Sequence, residues 1–304
     1  MHGVPMTRRE PYLFPEGARL DVDNLVLHAR AKRHTVRNYA GTLSIKTVLA
    51  GEVAWVIGGR PLTVDRASFL IVNEGEKYSM DIDAPTPVET CCVFFAHGFV
   101  ERVAMDATSP LGHALDEPER LAPALPYLST PHGDRERALV ERVQSLAPRC
   151  RLGAGPSAFE EDFLILAEQL LQYYEQIRQQ AARVPAERES TRQELFRRLL
   201  VGREYMHSHF SQGPASLDAV ARAACLSPFH FHRGFTQAFE QTPHGYLTEL
   251  RLERGRALIA GGTTVLEACV EVGFTSPSAF SRLFRAHFGV SPSTVRGRKS
   301  ARSG

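Results

Sequence analysis

Two arginines occupy the same position in a short segment that the chain contains twice. Arg233 lies in "SPFHFHRGFTQAF", which starts at Ser227, and Arg282 lies in "SPSAFSRLFRAHF", which starts at Ser276. A guanidinium can donate to guanine O6 and N7 at once in the major groove of DNA. An isolated exposed arginine more often pairs with a carboxylate of a neighbouring helix. Two arginines at one repeat position favour contact with DNA.

The repeat extends beyond these segments. Residues 216–247 align with residues 265–296 without a gap, and nine of the 32 positions are identical. The identical pairs are mostly apolar or helix-capping residues: Leu217/Leu266, Ala219/Ala268, Ser227/Ser276, Pro228/Pro277, Phe231/Phe280, Arg233/Arg282, Phe235/Phe284, Phe239/Phe288 and Pro243/Pro292. Ala224 and Gly273 fall just before the expected turn, where glycine suits a sharp change of direction. The pattern predicts two helix-turn-helix units.

The second helices of the two units have the same core residues but different residues on the outer face. Phenylalanines at i, i+4 and i+8 predict a buried stripe, because these positions share one side of a helix. The opposite sides carry Phe229, His232, Arg233 and Thr236 in the first unit, and Ser278, Ser281, Arg282 and Arg285 in the second. Two helices that contact different bases would differ in this way, so we predict that these outer faces bind DNA.

Residues that begin and end helices divide the C-terminal region into six predicted helices and a short last turn. Helices are predicted at about 190–210, 216–224, 227–239, 243–260, 264–272 and 277–288, with a last short turn from Pro292. Four of these starts pair a hydroxyl N-cap with proline at the first helical position, at Ser227, Thr242, Ser276 and Ser291. Thr264 and Glu267 add a capping box.

One predicted helix separates the two units. It runs over 243–260, is about 27 Å long at 1.5 Å per residue, and ends at Gly261-Gly262. A rod of that length could hold two recognition helices about one DNA turn, roughly 34 Å, apart. The basic tail that follows the second unit is expected to contact phosphates or to be a solvated end; it contains Arg296, Arg298, Lys299 and Arg302.

The N-terminal region has the pattern of a β protein. Short runs rich in Val, Ile, Thr and aromatic residues fill 20–100, with a tight hairpin signal at Gly58-Gly59. They predict a small antiparallel barrel or sandwich. The adjacent Cys91 and Cys92 are expected to face opposite sides of a strand.

From about residue 134 the period becomes helical. A helix over 157–180 is predicted to start with a capping box of Ser157 and Glu160. Its apolar face could pack on the barrel, pair two protomers, or do both; it contains Phe159, Phe163, Leu166, Leu170, Tyr173 and Ile177. Residues 181–189, polar with a central proline, are the predicted linker.

Composition and charge argue against a membrane protein and favour one that binds nucleic acid. The chain has 304 residues, 43% of them hydrophobic, and no apolar run near the roughly 18 residues of a membrane span. Five cysteines without a C-x-x-C pair, and an N-terminus without an apolar signal region, suggest a cytoplasmic protein. Residues 190–304 hold 15 Lys+Arg and 8 Asp+Glu, a charge of +7, whereas residues 1–189 hold 21 and 26, a charge of −5. A basic third on an acidic body fits a nucleic-acid-binding module.

Residues 190–299 resemble the DNA-binding domain of AraC/XylS-type bacterial transcription regulators. The strongest match is "EVGFTSPSAFSRLFRAHFGVSPSTVR", residues 271–296, and the first unit and "RLERGRALI" are similar to other parts of that domain. Glu240 replaces a usual glycine, and Gly255 replaces a usual alanine. The resemblance implies that base contacts come from the early turns of both recognition helices, at Phe229, His232, Arg233, Pro277, Ser278, Ser281 and Arg282. Pro277 would contribute contact by shape only.

Residues 15–105 look like the cupin-type domain with which such regulators bind effectors, as in "RPLTVDRASFLIVNEGEKY". The resemblance implies an α+β multidomain chain with a cupin-like antiparallel barrel over 1–133 and a helical dimerisation or relay region over 134–180. A linker over 181–189 and an all-α, double helix-turn-helix domain over 190–304 would complete it. The implied partners are double-stranded DNA, a small-molecule effector and a second copy of the chain, with RNA polymerase as a further candidate.

Two other functions stay open. A cupin-type enzyme would need a His-x-His and Glu metal cluster, and only His28, His34 and His97 are present, scattered, in the N-terminal region. We therefore expect no metal, no cofactor and no enzyme activity. A DNA-binding protein that senses nothing is the third alternative. If an effector binds inside the barrel, the candidate pocket residues are Arg30, Arg37, Lys46 and Trp55.

Overall fold

The computed structural model describes residues 19, 22–66, 68–108, 128–129, 134–211 and 216–296. The chain separates into two compact units, Met1–Arg178 and Gln179–Gly304. Among the described residues, no helix combines the length and apolar character that crossing a membrane requires. The boundary between the units lies near the end of a long helix, two residues before the predicted linker begins.

The N-terminal unit is a nearly closed antiparallel sheet. Its strands are β1 (Leu25–Ala40), β2 (Ser44–Ala50), β3 (Glu52–Ile57), β4 (Arg60–Asp65), β5 (Phe69–Val72), β6 (Lys77–Phe94) and β7 (Leu128–Ser129). They lie in the order β4-β3-β6-β2-β5-β7, and β1 also pairs with β6. Gly58 and Gly59, at φ 57° and 79°, form the predicted hairpin between β3 and β4. The barrel prediction is confirmed.

The 18-residue strand β6 organises this sheet. Its first part pairs with β3, its last part pairs with β2, and β1 follows it along almost its whole length. Irregular register between Ala31 and Arg33, and again between Val36 and Tyr39, lets β1 follow the bend of β6. Strand β1 lies within the predicted β region, and its exposed positions carry several basic residues. Side chains that alternate inward line the interior, among them Val48, Trp55, Leu70, Tyr78 and Ile82.

Helices cover the outside of the sheet. They are α1 (Phe99–Thr108), α2 (Asp134–Ser145), α3 (Ala147–Arg151) and α4 (Glu160–Ala182). The apolar face of α4 is buried on the strands: Phe163 contacts Phe95, and Tyr173 contacts Phe69, with ring centroids 6.5 and 5.8 Å apart. Of the two uses expected for this face, packing on the barrel is the one that the structure contains. Pairing of two protomers through α4 would have to use its other residues.

The start of α4 differs from the prediction. Ser157 is not an N-cap, because a 3₁₀ turn, Pro156–Phe159, precedes the helix and is itself capped by Gly155 without a side-chain hydrogen bond. Pro156 explains the turn: proline is favoured at the first helical position, so helical geometry begins there rather than after Ser157. The predicted capping box with Glu160 was therefore wrong.

The C-terminal unit is helical in every described element. Its helices are α5 (Glu189–Ser208), α6 (Leu217–Ala223), α7 (Pro228–Phe239), α8 (Pro243–Gly261), α9 (Val265–Glu271), α10 (Pro277–Phe288) and α11 (Pro292–Arg296). The hydroxyls of Ser227, Thr242 and Ser276 accept the predicted cap hydrogen bonds from the backbone. Thr264 and Glu267 form the full capping box. At the fourth site, the hydroxyl of Ser291 bonds that of Thr294, 2.8 Å away.

Candidate nucleic-acid interface

The two helix-turn-helix units are α6–α7 and α9–α10, and their turns differ by one residue. In the first unit the left-handed residue is Cys225, at φ 53°, and the N–H of Leu226 bonds the carbonyl of Ala221. In the second unit Gly273, at φ 81°, takes that role, and Phe274 bonds Cys269 in the same way. Cys225 therefore corresponds to Gly273, and Thr275 is an extra residue before Ser276.

This extra residue corrects the gapless alignment for the first helices. The buried positions Val220, Ala221 and Ala224 match Ala268, Cys269 and Val272, a shift of 48 rather than 49 residues. The identities Leu217/Leu266 and Ala219/Ala268 are therefore coincidental. The 49-residue match holds from the N-cap serines onward, so the two recognition helices, α7 and α10, are equivalent residue by residue.

The predicted phenylalanine stripes anchor both recognition helices. Phe231, Phe235, Phe280 and Phe284 are each 0% exposed, while Phe239 and Phe288 are half-buried at the edge of the same clusters. The first ring of each stripe lies against a glycine of another helix: Phe231 against Gly202 of α5, and Phe280 against Gly255 of α8. The glycines allow each recognition helix to pack closely, so each outer face has a fixed direction.

Helix α8 connects the two units through packing along its length. Its first half places Tyr246 against Phe235, with ring centroids 5.5 Å apart. Its second half contributes Leu252 and Ile259 to the core around Phe280 and Phe284. The helix has the predicted start and ends one residue later than predicted, at Gly261, with Gly262 in the left-handed conformation. Helix α8 is thus part of the cores of both helix-turn-helix units and fixes the distance between them.

The outer face of α7 is open to solvent. Phe229 is 68% exposed, which is unusual for a large apolar side chain, and His232 and Arg233 are exposed next to it. The hydroxyl of Thr236 donates to the carbonyl of His232 at 2.8 Å, so it is partly used within the helix. Within the described parts of the chain, Arg233 forms no ion pair and no side-chain hydrogen bond.

The outer face of α10 is more basic and lacks an aromatic side chain. Ser278, Arg282 and Arg285 are exposed, and Ser281 is half-exposed beside them. Pro277 occupies the first helical position and is exposed. The hydroxyl of Ser278 lies 2.9 Å from that of Ser276. Like Arg233, Arg282 has no ion-pair partner among the described residues. The ordinary alternative for an exposed arginine, an ion pair with a neighbouring helix, is thus not found at either repeat position in the described parts of the chain.

Two further exposed residues belong to the first outer face. Gln237 lies one turn after Arg233, and His230 lies at the margin, with Nδ1 2.7 Å from the Ser227 hydroxyl. The 3.6-residue period places Gln237 nearly opposite Phe235 of the buried stripe, and applying it to every position of α7 would have identified this residue. A glutamine can bond adenine N6 and N7 together. In the tail, Arg296 ends α11 and Arg298 lies outside the described residues.

The four candidate effector residues divide into two pairs. Lys46 and Trp55 are each 1% exposed and point into the barrel. Arg30 and Arg37 are exposed on the outside, and Arg37 lies 4.0 Å from Asp81. The prediction that these two arginines line a pocket was wrong, because both occupy outward positions of β1. Side chains of a strand alternate between its two sides, and the pairing of β1 with β6 determines which of them face the interior.

The histidines of the N-terminal unit serve separate contacts. His28 is buried, with Nε2 2.7 Å from Glu89, and His97 contacts Glu74 on the surface. In the parts of the chain that the structure describes, no three His, Cys, Asp or Glu side chains are grouped so that they could hold a metal ion. Cys91 donates to the carbonyl of Val143, toward α2, whereas Cys92 faces the interior beside Leu25, as their alternation predicted.

The region with the two helix-turn-helix units is similar in sequence to known proteins. A family described as "Helix-turn-helix domain" matches residues 220–298. The chain is 34% identical over 93 residues to the transcriptional activator RhaS of Escherichia fergusonii, which covers 30% of this chain and 33% of that protein. It is 34% identical over 80 residues to the transcriptional regulator ArgR of Pseudomonas aeruginosa, covering 26% of this chain and 24% of that protein. The chain thus spans a third or less of the length of these relatives.

A solved structure is similar to about a third of this chain. It is a transcriptional regulator from Chromobacterium violaceum with an AraC-type DNA-binding domain. The likeness has 27% sequence identity and a TM-score of 0.32, and covers 35% of this chain and 95% of that one.

Proposed function

We propose that the whole chain is a cytoplasmic, sequence-specific DNA-binding transcription regulator of the AraC type, because residues 220–298 match a family described as a helix-turn-helix domain. It acts by binding and not by catalysis. Its N-terminal barrel holds a small-molecule effector, which changes the balance between conformations that differ in their affinity for DNA. A second copy of the chain is the further partner that we propose, and RNA polymerase is a candidate.

One observation supports the DNA-binding role above all others. Arg233 and Arg282 stand at equivalent positions on two recognition helices, exposed, and without a carboxylate partner among the described residues. A guanidinium that pairs with the protein is unavailable to bases, whereas these two can each bond a guanine. The residues around them differ, so the two helices should prefer different base sequences. The intervening helix α8, packed into both cores, would hold these preferences at a constant spacing.

The two faces favour different chemistry. On α7, an exposed ring at Phe229 suits a thymine methyl group, and Arg233 suits guanine. On α10, two arginines and two serine hydroxyls can bond bases or phosphates. We therefore assign most of the base discrimination to α7. The half-site for α10 should tolerate more substitutions.

Selection of duplexes from a random pool by the full-length chain tests this proposal. We expect one enriched motif with two parts, separated by about one helical turn, roughly 10 base pairs. Binding to the selected duplex should exceed binding to a scrambled duplex by at least 10³-fold at physiological salt. Equal affinity for all duplexes, with a steep dependence on salt, would show a non-specific DNA-binding protein and contradict the proposal.

A further inference from the structure

Lys46 is a charged side chain in the interior of the N-terminal barrel. It lies on β2, where its cross-strand partners are Leu70 and Cys92, and it is only 1% exposed. Its neighbours on the same face of β2 are Ser44 and Val48, both fully buried. Lysines are almost never buried so completely unless something pairs with the ammonium group.

Aromatic groups surround the ammonium group of Lys46. Its Nζ atom lies 3.6 Å from the ring centroid of Phe94 and 4.9 Å from that of Tyr78. Nζ donates one long hydrogen bond, of 3.5 Å, to the Tyr78 hydroxyl, and an ammonium group has two further donors. Within the described residues, no carboxylate pairs with this nitrogen. Cation–π contacts stabilise a positive charge but leave its hydrogen-bond donors unused.

Two buried hydroxyl groups belong to the same short stretch of chain as Lys46. Ser44 is the cross-strand partner of Phe94, the ring that Lys46 contacts, and Thr42 is two residues earlier in the chain. Ser44 is 0% exposed and Thr42 is 8% exposed, and neither hydroxyl has a hydrogen-bond partner among the described residues. A buried polar atom without a partner destabilises the fold by about 1–3 kcal/mol unless a further group satisfies it. One ammonium and two hydroxyls therefore have free donors at one end of the barrel.

We propose that this end of the barrel binds a small organic acid, with its anionic group on Lys46, Ser44 and Thr42. The anion would accept hydrogen bonds from these donors, and the body of the ligand would be apolar, because the surrounding core contains Trp55, Val48 and Leu70. This inference rests on the proposed effector function of the barrel and defines the chemical class of the effector.

The electrostatics of the site agree with an anionic rather than a neutral ligand. Burial lowers the pKa of Lys46 from 10.5 to about 8, so the amine is still protonated at pH 7. Burial also raises the pKa of the Tyr78 hydroxyl, which therefore keeps its proton and can donate it to an acceptor. A bound anion would favour the charged amine and raise the pKa of Lys46 again.

Thermal unfolding of the full-length chain with matched ligand pairs tests this site. The probes are sodium benzoate, hexanoate and octanoate, and each is compared with the primary amide of the same body. At 100 times its Kd, an acid should raise the midpoint by roughly 5 °C or more, whereas its amide should not. The effect should disappear in Lys46→Met and persist in Lys32→Met, which removes an exposed lysine of β1.

Three results would overturn the inference: no acid shifts the midpoint, amides act as strongly as acids, or Lys46→Met responds like the wild type. The DNA affinity of Lys46→Met without any probe separates this inference from the proposed function. If the variant and the wild type bind the selected duplex equally and no acid acts on either, only the ligand class is wrong. If neither binds a specific duplex, the regulator function itself fails.

Discussion

The ring of Phe280 lies against the backbone of Gly255, so close that a Cβ atom on this glycine would be 2.9 Å from the ring. The equivalent ring of the first unit, Phe231, is closer still to Gly202, where a Cβ atom would be 2.2 Å away. Each helix-turn-helix unit thus depends on one contact between a phenylalanine and a glycine. Gly255, which the sequence alone shows only as a loss of helix propensity, allows the second of these contacts.

These contacts predict different effects for two alanine substitutions. Gly202→Ala should lower the free energy of unfolding by about 1–3 kcal/mol, because the methyl group overlaps a ring that is fully buried. Gly255→Ala should cost less because the overlap is smaller. Both glycines lie inside helices, so both variants also gain about 1 kcal/mol of helix propensity. Urea unfolding measures both. A more harmful effect at Gly255 than at Gly202 would contradict the packing described here.

Glu240 and Gly289 end the two recognition helices in the same left-handed conformation, with φ of 54° and 71°. This conformation costs a residue other than glycine about 1–2 kcal/mol. Glu240→Gly should therefore stabilise the chain by about 0.5–1 kcal/mol, less the contribution of the exposed ion pair between Glu240 and Arg183, 3.2 Å apart.

Two controls separate backbone strain from the ion pair. Glu240→Ala removes the carboxylate but keeps the strained backbone, so it should be neutral or slightly destabilising. Gly289→Ala introduces the same strain at the second helix and should cost about 1 kcal/mol. Thermal or urea unfolding would detect these differences. Equal stability of the Gly and Ala variants at position 240 would show that strain contributes nothing there.

Removal of either free arginine should change base preference at one place. In Arg233→Ala and in Arg282→Ala, discrimination at a single base pair should fall by about 1–3 kcal/mol, measured as relative affinity for all four base pairs at each position. Arg197→Ala is the matched control, because Arg197 is exposed on α5 and already pairs with Glu194 at 2.9 Å. A uniform loss of affinity with a salt slope smaller by about one would instead assign the arginine to a phosphate.

Lys46 should make stability depend on pH above neutrality. Its pKa is about 8 in the folded chain and near 10.5 when unfolded, so the unfolded state binds more protons between these values. Stability should therefore rise as pH increases from about 8 to about 10.5, by up to about 3 kcal/mol from this group. Lys46→Met should be more stable than the wild type at pH 7, and the difference should shrink with rising pH. A difference independent of pH would mean that Lys46 has the same pKa in the folded and the unfolded chain, as a solvated lysine would.

Much of the C-terminal architecture follows from local sequence. Ser227, Thr242 and Ser276 each cap a helix that begins with proline, and Gly262 ends α8, because these signals act between residues close in the chain. The phenylalanine stripes have the helical period, so the buried and outer faces of α7 and α10 could be predicted together. The identity of Arg233 and Arg282 as outer residues needed no tertiary information.

Other features depended on contacts between distant segments. Arg30 and Arg37 point outward and Lys46 inward, because the pairing of β1 and β2 with β6 determines which side of each strand faces the interior. The extra residue Thr275 became visible only from the backbone bonds that define each turn. Gly202 and Gly255 have their role because a ring from another helix lies on them. Local sequence determined where elements begin and which faces are apolar, whereas the direction of individual side chains depended on tertiary packing, since burial is decided by the partner element.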